Sequence, residues 1–325
     1  MFDLRKMSLR HLMDLYVDDN FENNIITIEP NIYIDMNMYI KRDDFSKGIT
    51  SESPIKKYYQ IWEPKKKLLS TLYGDQRGDY LEKISDPMRI SLILPTENYY
   101  STTINYDKTI IDFDEALTKY CSQPMKDEIP EYRVIEDNDK EVIVFISTFL
   151  TRSIRQCTED MMPLFGQGHH VVRVLDKNIA VLNFVSKKTD IKQSVCVVEQ
   201  KGMSLFFVIG FKKNGAIIPL ENFSTIVPNG NTASALENTI SSFLKKTQSK
   251  FNSLKVPAPR LGCLLTDNNE EDIIQNIFSF NDFRDVCASC FQELDVIPVQ
   301  NAALEGAVYF EHALNEQLGK TNKKQ

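Results

Sequence analysis

VCVVEQKGMSLFFVIGF (195–211), followed by KNG (213–215) and a further apolar run, reads as strand, tight turn, strand and hairpin. The turn between the two apolar arms is the place that decides the reading. It offers Glu199, Gln200, Lys201 and Gly202, with Ser204 opening the second arm. Backbone N–H groups at a glycine-bearing turn after a buried strand can hold phosphate. Without that chemistry the same stretch is an ordinary hairpin, and the rest of the chain has to decide between the two.

The chain has 325 residues, enough for two domains or one two-lobed domain, and is 42% hydrophobic and 26% charged, as in ordinary globular proteins. A net charge of −7 argues against a nucleic-acid partner, which requires a basic face. The N-terminus, MFDLRKMSLRHL, carries an acid early and lacks an apolar core, so no secretion signal is expected. Six cysteines in a chain this long do not make a disulfide framework and fit a reducing compartment, the cytoplasm. Only 12 glycines occur, with no G-x-G-x-x-G and no P-loop pattern, which leans against a nucleotide enzyme.

Outward from the hairpin, AIIPL (216–220) continues an antiparallel meander through the turn at Asn214–Gly215. A helix is predicted over about 232–254, with Leu236, Ile240, Phe243, Leu244, Phe251 and Leu254 on one face, then a buried strand LGCLL (261–265). Acids at 267–272 open a helix through 278, a further helix covers about 281–294, DVIPV is a strand, and 301–316 is a closing helix. Upstream, SLRHLMDLYV (8–17) is an amphipathic helix, and NIITIE with IYIDMNMYI are two strands joined by a turn at Pro30–Asn31. Residues 42–70 read as charged and irregular, with EPKKK a solvated turn and Trp62 a partial anchor. RISLILPTENYYSTTINY (89–106) is two strands broken at Pro95; Asp112 and Glu115 form a capping pair for a helix through about Gln123. A short strand at 131–135, a turn at Asn138 and the buried strand EVIVFIS follow. Ser147 or Thr148 then caps a helix to about Phe165, and HHVVRVL is the next strand, together a βαβ or split βαβ unit.

From about residue 25 to 316 this layout resembles the actin-like cytoplasmic assembly proteins of type IV pili and type II secretion, the PilM proteins and the cytoplasmic part of GspL. The stretches that carry it are RISLILPTENYYSTTINY, DFDEALTKYCSQPM with EYRVI, EVIVFISTFLTRSIRQCTEDMMPLFGQGHHVVRVLDKNIAVLN, the hairpin quoted first, and VIPVQNAALEGAVYFEHAL. The resemblance implies an α/β, two-lobed actin-like (ribonuclease H-like) fold with mixed sheets flanked by helices. It divides the chain into an N-terminal extension (1–24), a first lobe (25–188, completed by 301–316), a second lobe (189–300) and a disordered basic tail (317–325). PilM proteins that bind ATP carry Asp-x-Gly-type turns after the first strand of each lobe and a Gly-Gly turn at the adenosine. Here those places read Glu29–Pro30–Asn31, Glu199–Gln200–Lys201–Gly202, and TDNN after LGCLL. The hairpin is therefore read as a lobe-opening hairpin whose phosphate position, Glu199, Gln200, Gly202 and Ser204, is degenerate.

What this implies is a non-catalytic scaffold with no cofactor, cytoplasmic and peripheral on the inner membrane through its partners. Those partners are a bitopic PilN-like assembly protein, engaged through its cytoplasmic segment, and an assembly ATPase. The alternative is an actin-like ATPase or small-molecule kinase with atypical phosphate loops. Tyr99, Tyr100 and Tyr106 are the candidate partner-binding residues, on strands rich in β-branched and aromatic side chains, with at least one of the three expected to face the core. No catalytic set and no metal site are assigned. Cys287 and Cys290 fall on one helix face without two further ligands, and His169 and His170, neighbours on a strand, point to opposite faces. Glu199 is read as a solvated turn residue with no second acid beside it.

Overall fold

The structure, a computed structural model, describes residues 25–34, 55–73, 89–94, 99–120, 128–150, 170–201, 204–226, 233–266 and 278–322. The helices expected at 8–17, 148–165 and 267–278, and His11 and His169, lie wholly or mostly outside them.

Two five-stranded sheets share one plan. In the first, β1 (Ile25–Ile34), β2 (Ile55–Glu63), β3 (Leu68–Tyr73), β4 (Arg89–Leu94) and β8 (His170–Asp176) lie in the order β3-β2-β1-β4-β8. In the second, β9 (Ser194–Lys201), β10 (Ser204–Lys213), β11 (Ala216–Ile226), β12 (Leu261–Thr266) and β13 (Glu293–Pro298) lie in the order β11-β10-β9-β12-β13. Each is an antiparallel meander of three strands whose first strand then pairs in parallel with the fourth, and the fourth with the fifth. This plan, found twice, is the ribonuclease H-like sheet, and the pair makes the two-lobed actin-like architecture.

The meander 194–226 forms as its sequence predicts. β9 and β10 are apolar almost throughout because both faces are covered. The hairpin closes at Asn214 and Gly215, whose φ values of 51° and 82° suit a type I′ turn. Upstream, several expectations need correction. β1 is one strand through Pro30–Asn31, not two strands and a turn. Its pairing with β4 ends at Ile28, so Pro30 falls where β1 is bonded on one side only, and there a missing N–H is tolerated. Residues 55–63 and 68–73 are strands rather than irregular chain, with EPKKK as their tight turn and Trp62 half-buried beside the central core.

β5 (Tyr99–Asp107), β6 (Glu128–Asp137) and β7 (Glu141–Leu150) form a third sheet, in the order β5-β7-β6, inserted between β4 and β8. β7 runs through Ser147 and Thr148, so neither caps a helix, and β7 and β8 belong to different sheets rather than to one βαβ unit. The capping box that starts α1 (Phe113–Tyr120) is present: Glu115 N–H donates to Asp112 Oδ1 at 2.8 Å and Asp112 N–H to Glu115 Oε2 at 3.4 Å. One face of this sheet packs under α1; Ile143 and Phe145, on the other, join the core of the second lobe.

α3 (Ala233–Leu254) and α4 (Phe280–Cys290) lie against the second sheet through Leu236, Ile240, Phe243, Phe251, Phe283 and Val286. α2 (Lys177–Lys188) and α5 (Ala302–Asn322) pack on each other between the two five-stranded sheets. One apolar cluster joins them to Ile93 and Leu175 of the first sheet and Val195, Val197 and Leu265 of the second. α5 also reaches the first sheet directly, where Thr27 Oγ1 donates to Leu304 O at 3.1 Å and Ser91 Oγ to Glu311 Oε1 at 2.9 Å. The helix continues to Asn322, so most of the segment read as a disordered tail is helical.

The α2–α5 contact depends on Gly306. A Cβ there would lie 1.8 Å from the carbonyl oxygen of Ala180, a backbone atom that no side-chain rotation can move. Gly306→Ala is therefore expected to lower stability by about 3 kcal/mol or more, read as a fall in the urea midpoint at unchanged slope. An unchanged midpoint would mean that the two helices do not touch in this way.

Candidate functional site

Where the two lobes meet, β1, β9 and the start of α2 bring three charged side chains together. Asp176 caps α2, its Oδ1 accepting from Ile179 N–H at 2.7 Å, and this fixes the first helical residue, Lys177. The Lys177 ammonium lies 2.7 Å from Glu199 Oε2, on the second sheet, and 3.4 Å from Glu29 Oε1, on the first. It also stands 4.7 Å from the centre of the Phe206 ring, a favourable place for a cation. Glu29 is 0%, Glu199 5% and Lys177 7% exposed, so the cluster is out of water.

A second ring of polar groups completes it. Asn301 Nδ2 donates to Glu29 Oε2 at 2.7 Å and to Gln60 Oε1 at 2.8 Å, while its own Oδ1 accepts from Leu304 N–H at 3.0 Å at the start of α5. Lys201 Nζ reaches the same two acceptors at 3.3 and 3.2 Å. Each lobe thus contributes a carboxylate, and the two helices between the sheets contribute the groups that hold them. Burial pulls the Lys177 pKa down, but Glu199 and Glu29 outweigh it and hold it above the ordinary value of 10.5.

Of the residues singled out in sequence, Glu199 is buried at the end of β9 rather than solvated in a turn, and a second acid, Glu29, does share its lysine. Gln200 points to the other face, where its amide pairs with the backbone of Phe278: Nε2 donates to the carbonyl at 3.0 Å and Oε1 accepts from the N–H at 3.2 Å. It is structural. Ser204 is exposed at the start of β10, and Gly202 lies outside the described residues. Lys177, Gln60 and Asn301 were not singled out at all. A lysine at the first position of a helix that follows a strand ending in Asp was the one signal for them, and it is a weak one.

The tyrosines separate. Tyr99 and Tyr106 are buried, which corrects their assignment as partner anchors; Tyr100 is 40% exposed. Burial first, then Asp176, raises the Tyr99 pKa well above that of a free phenol, while its hydroxyl accepts from Asn178 N–H at 3.2 Å. Cys287 and Cys290 lie on α4 as expected, and burial pushes the Cys287 thiol up to about 12, which makes it inert. Among the described residues no group of three or more His, Cys, Asp or Glu side chains could hold a metal ion. No helix of the described residues is long and apolar enough to cross a membrane.

No family model matches the chain, and no curated protein matches it in sequence. Among solved structures, it is similar to a protein of Bacteroides thetaiotaomicron with an actin-like ATPase fold and unknown function (10% identity, 95% of this chain and 98% of that one covered, TM-score 0.43). It is also similar to the cytoplasmic domain of EpsL, an inner membrane component of the type II secretion system of Vibrio cholerae (10%, 89% and 94%, TM-score 0.45). A third is the PilM-PilN type IV pilus biogenesis complex (10%, 80% and 91%, TM-score 0.48). The fold assignment itself stands on the strand order that this chain repeats.

An actin-like fold implies a metal-bound nucleotide between the lobes, and the residues here do not fit one. Both carboxylates that could face a divalent cation already face an ammonium. Replacing Lys177 with Met leaves Glu199 buried without that counter-charge, at an expected cost of about 3–5 kcal/mol; adding Glu199→Gln is expected to restore part of it. The pH dependence has a definite sign. The folded-state pKa of Lys177 is raised, so its contribution is fully present below about 10.5 and is lost as pH climbs through the higher folded value. Urea unfolding between pH 7 and 11 checks both: the wild type is expected to lose stability steeply at the alkaline end, and Lys177→Met to lose less there.

Proposed function

We propose that this chain is a non-catalytic scaffold that holds a segment of another protein. The observation that carries this reading is the buried Lys177 ammonium between Glu29 and Glu199, which fills with the protein's own charge the place where catalysis in this fold needs a metal and phosphate. The setting is the one the sequence resemblance implies: the inner-membrane assembly platform of a type IV pilus or type II secretion system. There the chain would sit on the cytoplasmic face and link the cytoplasmic segment of a bitopic, PilN-like protein to an assembly ATPase. The alternative, an atypical ATPase or kinase, draws on the two carboxylates buried where the lobes meet, and the lysine between them speaks against it.

Calorimetry with Mg-ATP is expected to show no binding at micromolar concentrations; a micromolar dissociation constant would overturn the scaffold reading. The partner surface, in turn, can include Tyr100 but not its neighbours. Tyr99→Ala is expected to cost about 3 kcal/mol of folding stability as a large ring leaves the core. Tyr100→Ala is expected to stay within about 0.5 kcal/mol of wild type while weakening retention of the PilN-like segment. Full retention by the folded Tyr100 variant would remove this residue from the surface.

A further inference from the structure

Asp176, Lys177 and Asn178 are consecutive, and between them they are bonded to all three sheets. Asp176 Oδ2 accepts from Ser147 Oγ, on β7 of the inserted sheet, at 2.9 Å. Lys177 bridges the first and second sheets through Glu29 and Glu199. Asn178 returns to the inserted sheet: its N–H donates to Tyr99 OH at 3.2 Å and its Nδ2 to Ser101 Oγ at 2.6 Å, both on β5. Asp176, Asn178, Ser101 and Ser147 are all at most 3% exposed, so none of these groups has water as a substitute partner.

Elsewhere along its length the inserted sheet is fastened to the second lobe. Thr103 Oγ1 donates to Pro219 O of β11 at 2.5 Å, Lys250 Nζ of α3 to Thr102 Oγ1 at 2.8 Å, and Asn105 Nδ2 to Ser253 O at 3.0 Å. Lys255 pairs with Glu141 at 2.9 Å, Lys213 pairs with Glu136, and Ile143 and Phe145 are packed in the second lobe's core. The second lobe is therefore tied to the start of α2 by two routes, directly through Glu199 and indirectly through the inserted sheet.

We infer that the residues 176–178 form a joint through which the seating of the inserted sheet and the closure of the two lobes are one equilibrium. Residues 176–178 continue β8 without a break, so parting the lobes with them held on the first sheet moves Glu199 away from Lys177 and drags the inserted sheet with the second lobe, away from Asp176 and Asn178. If the sheet stays with α2 instead, its bonds to β11 and α3 must break. Either way a set of buried hydrogen bonds is lost together, because leaving single members unpaired in the interior is the costly outcome. Anything that pulls on the inserted sheet is then felt at Lys177, although it touches neither carboxylate. This coupling does not depend on the scaffold reading and would hold equally for an enzyme.

The test uses thiols the chain already has. Cys263 lies in the cluster between the lobes, and Cys196 lies in the second lobe's own core; both are fully buried. In the full chain, pulse labelling with N-ethylmaleimide, resolved by peptide mass spectrometry, reads lobe parting at Cys263 and unfolding of the second lobe at Cys196. Ser147→Ala is expected to speed labelling of Cys263 about tenfold, as loss of one buried hydrogen bond implies, with Cys196 unchanged. Lys177→Met is expected to speed it further, and the double variant to label no faster than Lys177→Met alone within about twofold. An unchanged Cys263 rate in Ser147→Ala, or rates that multiply in the double variant, would overturn the joint. Should Ser147→Ala fail to fold, Thr103→Val decides in its place: it loosens the far end of the inserted sheet, and the same acceleration at Cys263 is expected, with no acceleration overturning the proposal.

Discussion

An ammonium cannot stay charged away from water unless carboxylates come to it, and this requirement organises the meeting of the two lobes. Lys177 is fixed by its place at the start of α2, so Glu29 must arrive from the first sheet and Glu199 from the second. That demands that β1 and β9, strands of two separate sheets, approach the same helix start. A buried ion pair of this kind adds little net stability over an apolar replacement, because desolvation offsets the attraction. What it does impose is geometry: any arrangement that leaves one carboxylate or the ammonium alone is heavily penalised. The first effect of the cluster is thus on which closed arrangement the lobes adopt, and only secondarily on how stable it is.

The inserted sheet shows how one small layer serves two cores. Cross-strand register puts Ile104, Val144 and Tyr106 on the face covered by α1, while Ile143 and Phe145 turn to the second lobe. The same alternation explains the tyrosines. Tyr99 points into the first lobe's core; Tyr100 and Tyr106 share the opposite face. Tyr106 lies beneath α1, its ring 6.4 Å from that of Phe113, and Tyr100, three turns of the pleat away, is left outside that cover.

Much of the second lobe was legible in sequence because its signals are local. The Asn214–Gly215 turn, the apolar stripe of α3 and the breaks at 257–259 each act within a few residues of the element they define. The first lobe hid its β2–β3 hairpin because lysines and glutamates dilute the alternation, and β1 hid its continuity because proline normally ends a strand. The two carboxylates were visible as departures from a phosphate-binding pattern, but their meaning was not. Glu29 and Glu199 are 170 residues apart, and only the duplicated fold puts them on one lysine. Asn301 and Gln60 were illegible for the same reason, since a polar residue within a strand or at a helix start carries no mark of the partner it will meet.

Glycine use points the same way as the lysine. Glycine lets a backbone be approached closely, and in a phosphate site what approaches is the phosphate. Among the described residues, Gly306 admits the carbonyl of Ala180, Gly262 the ring of Phe291 and Gly210 the side chain of Leu182, while Gly215 turns a hairpin at positive φ. Each of these close approaches is made by the protein itself. β1 and β9 carry Glu29 and Glu199 where the lobes meet, and both carboxylates are already turned to the Lys177 ammonium. At these four positions the close backbone approaches serve helix, sheet and turn packing, and where the lobes meet the buried charges are paired within the protein, so both hold the lobes in one arrangement.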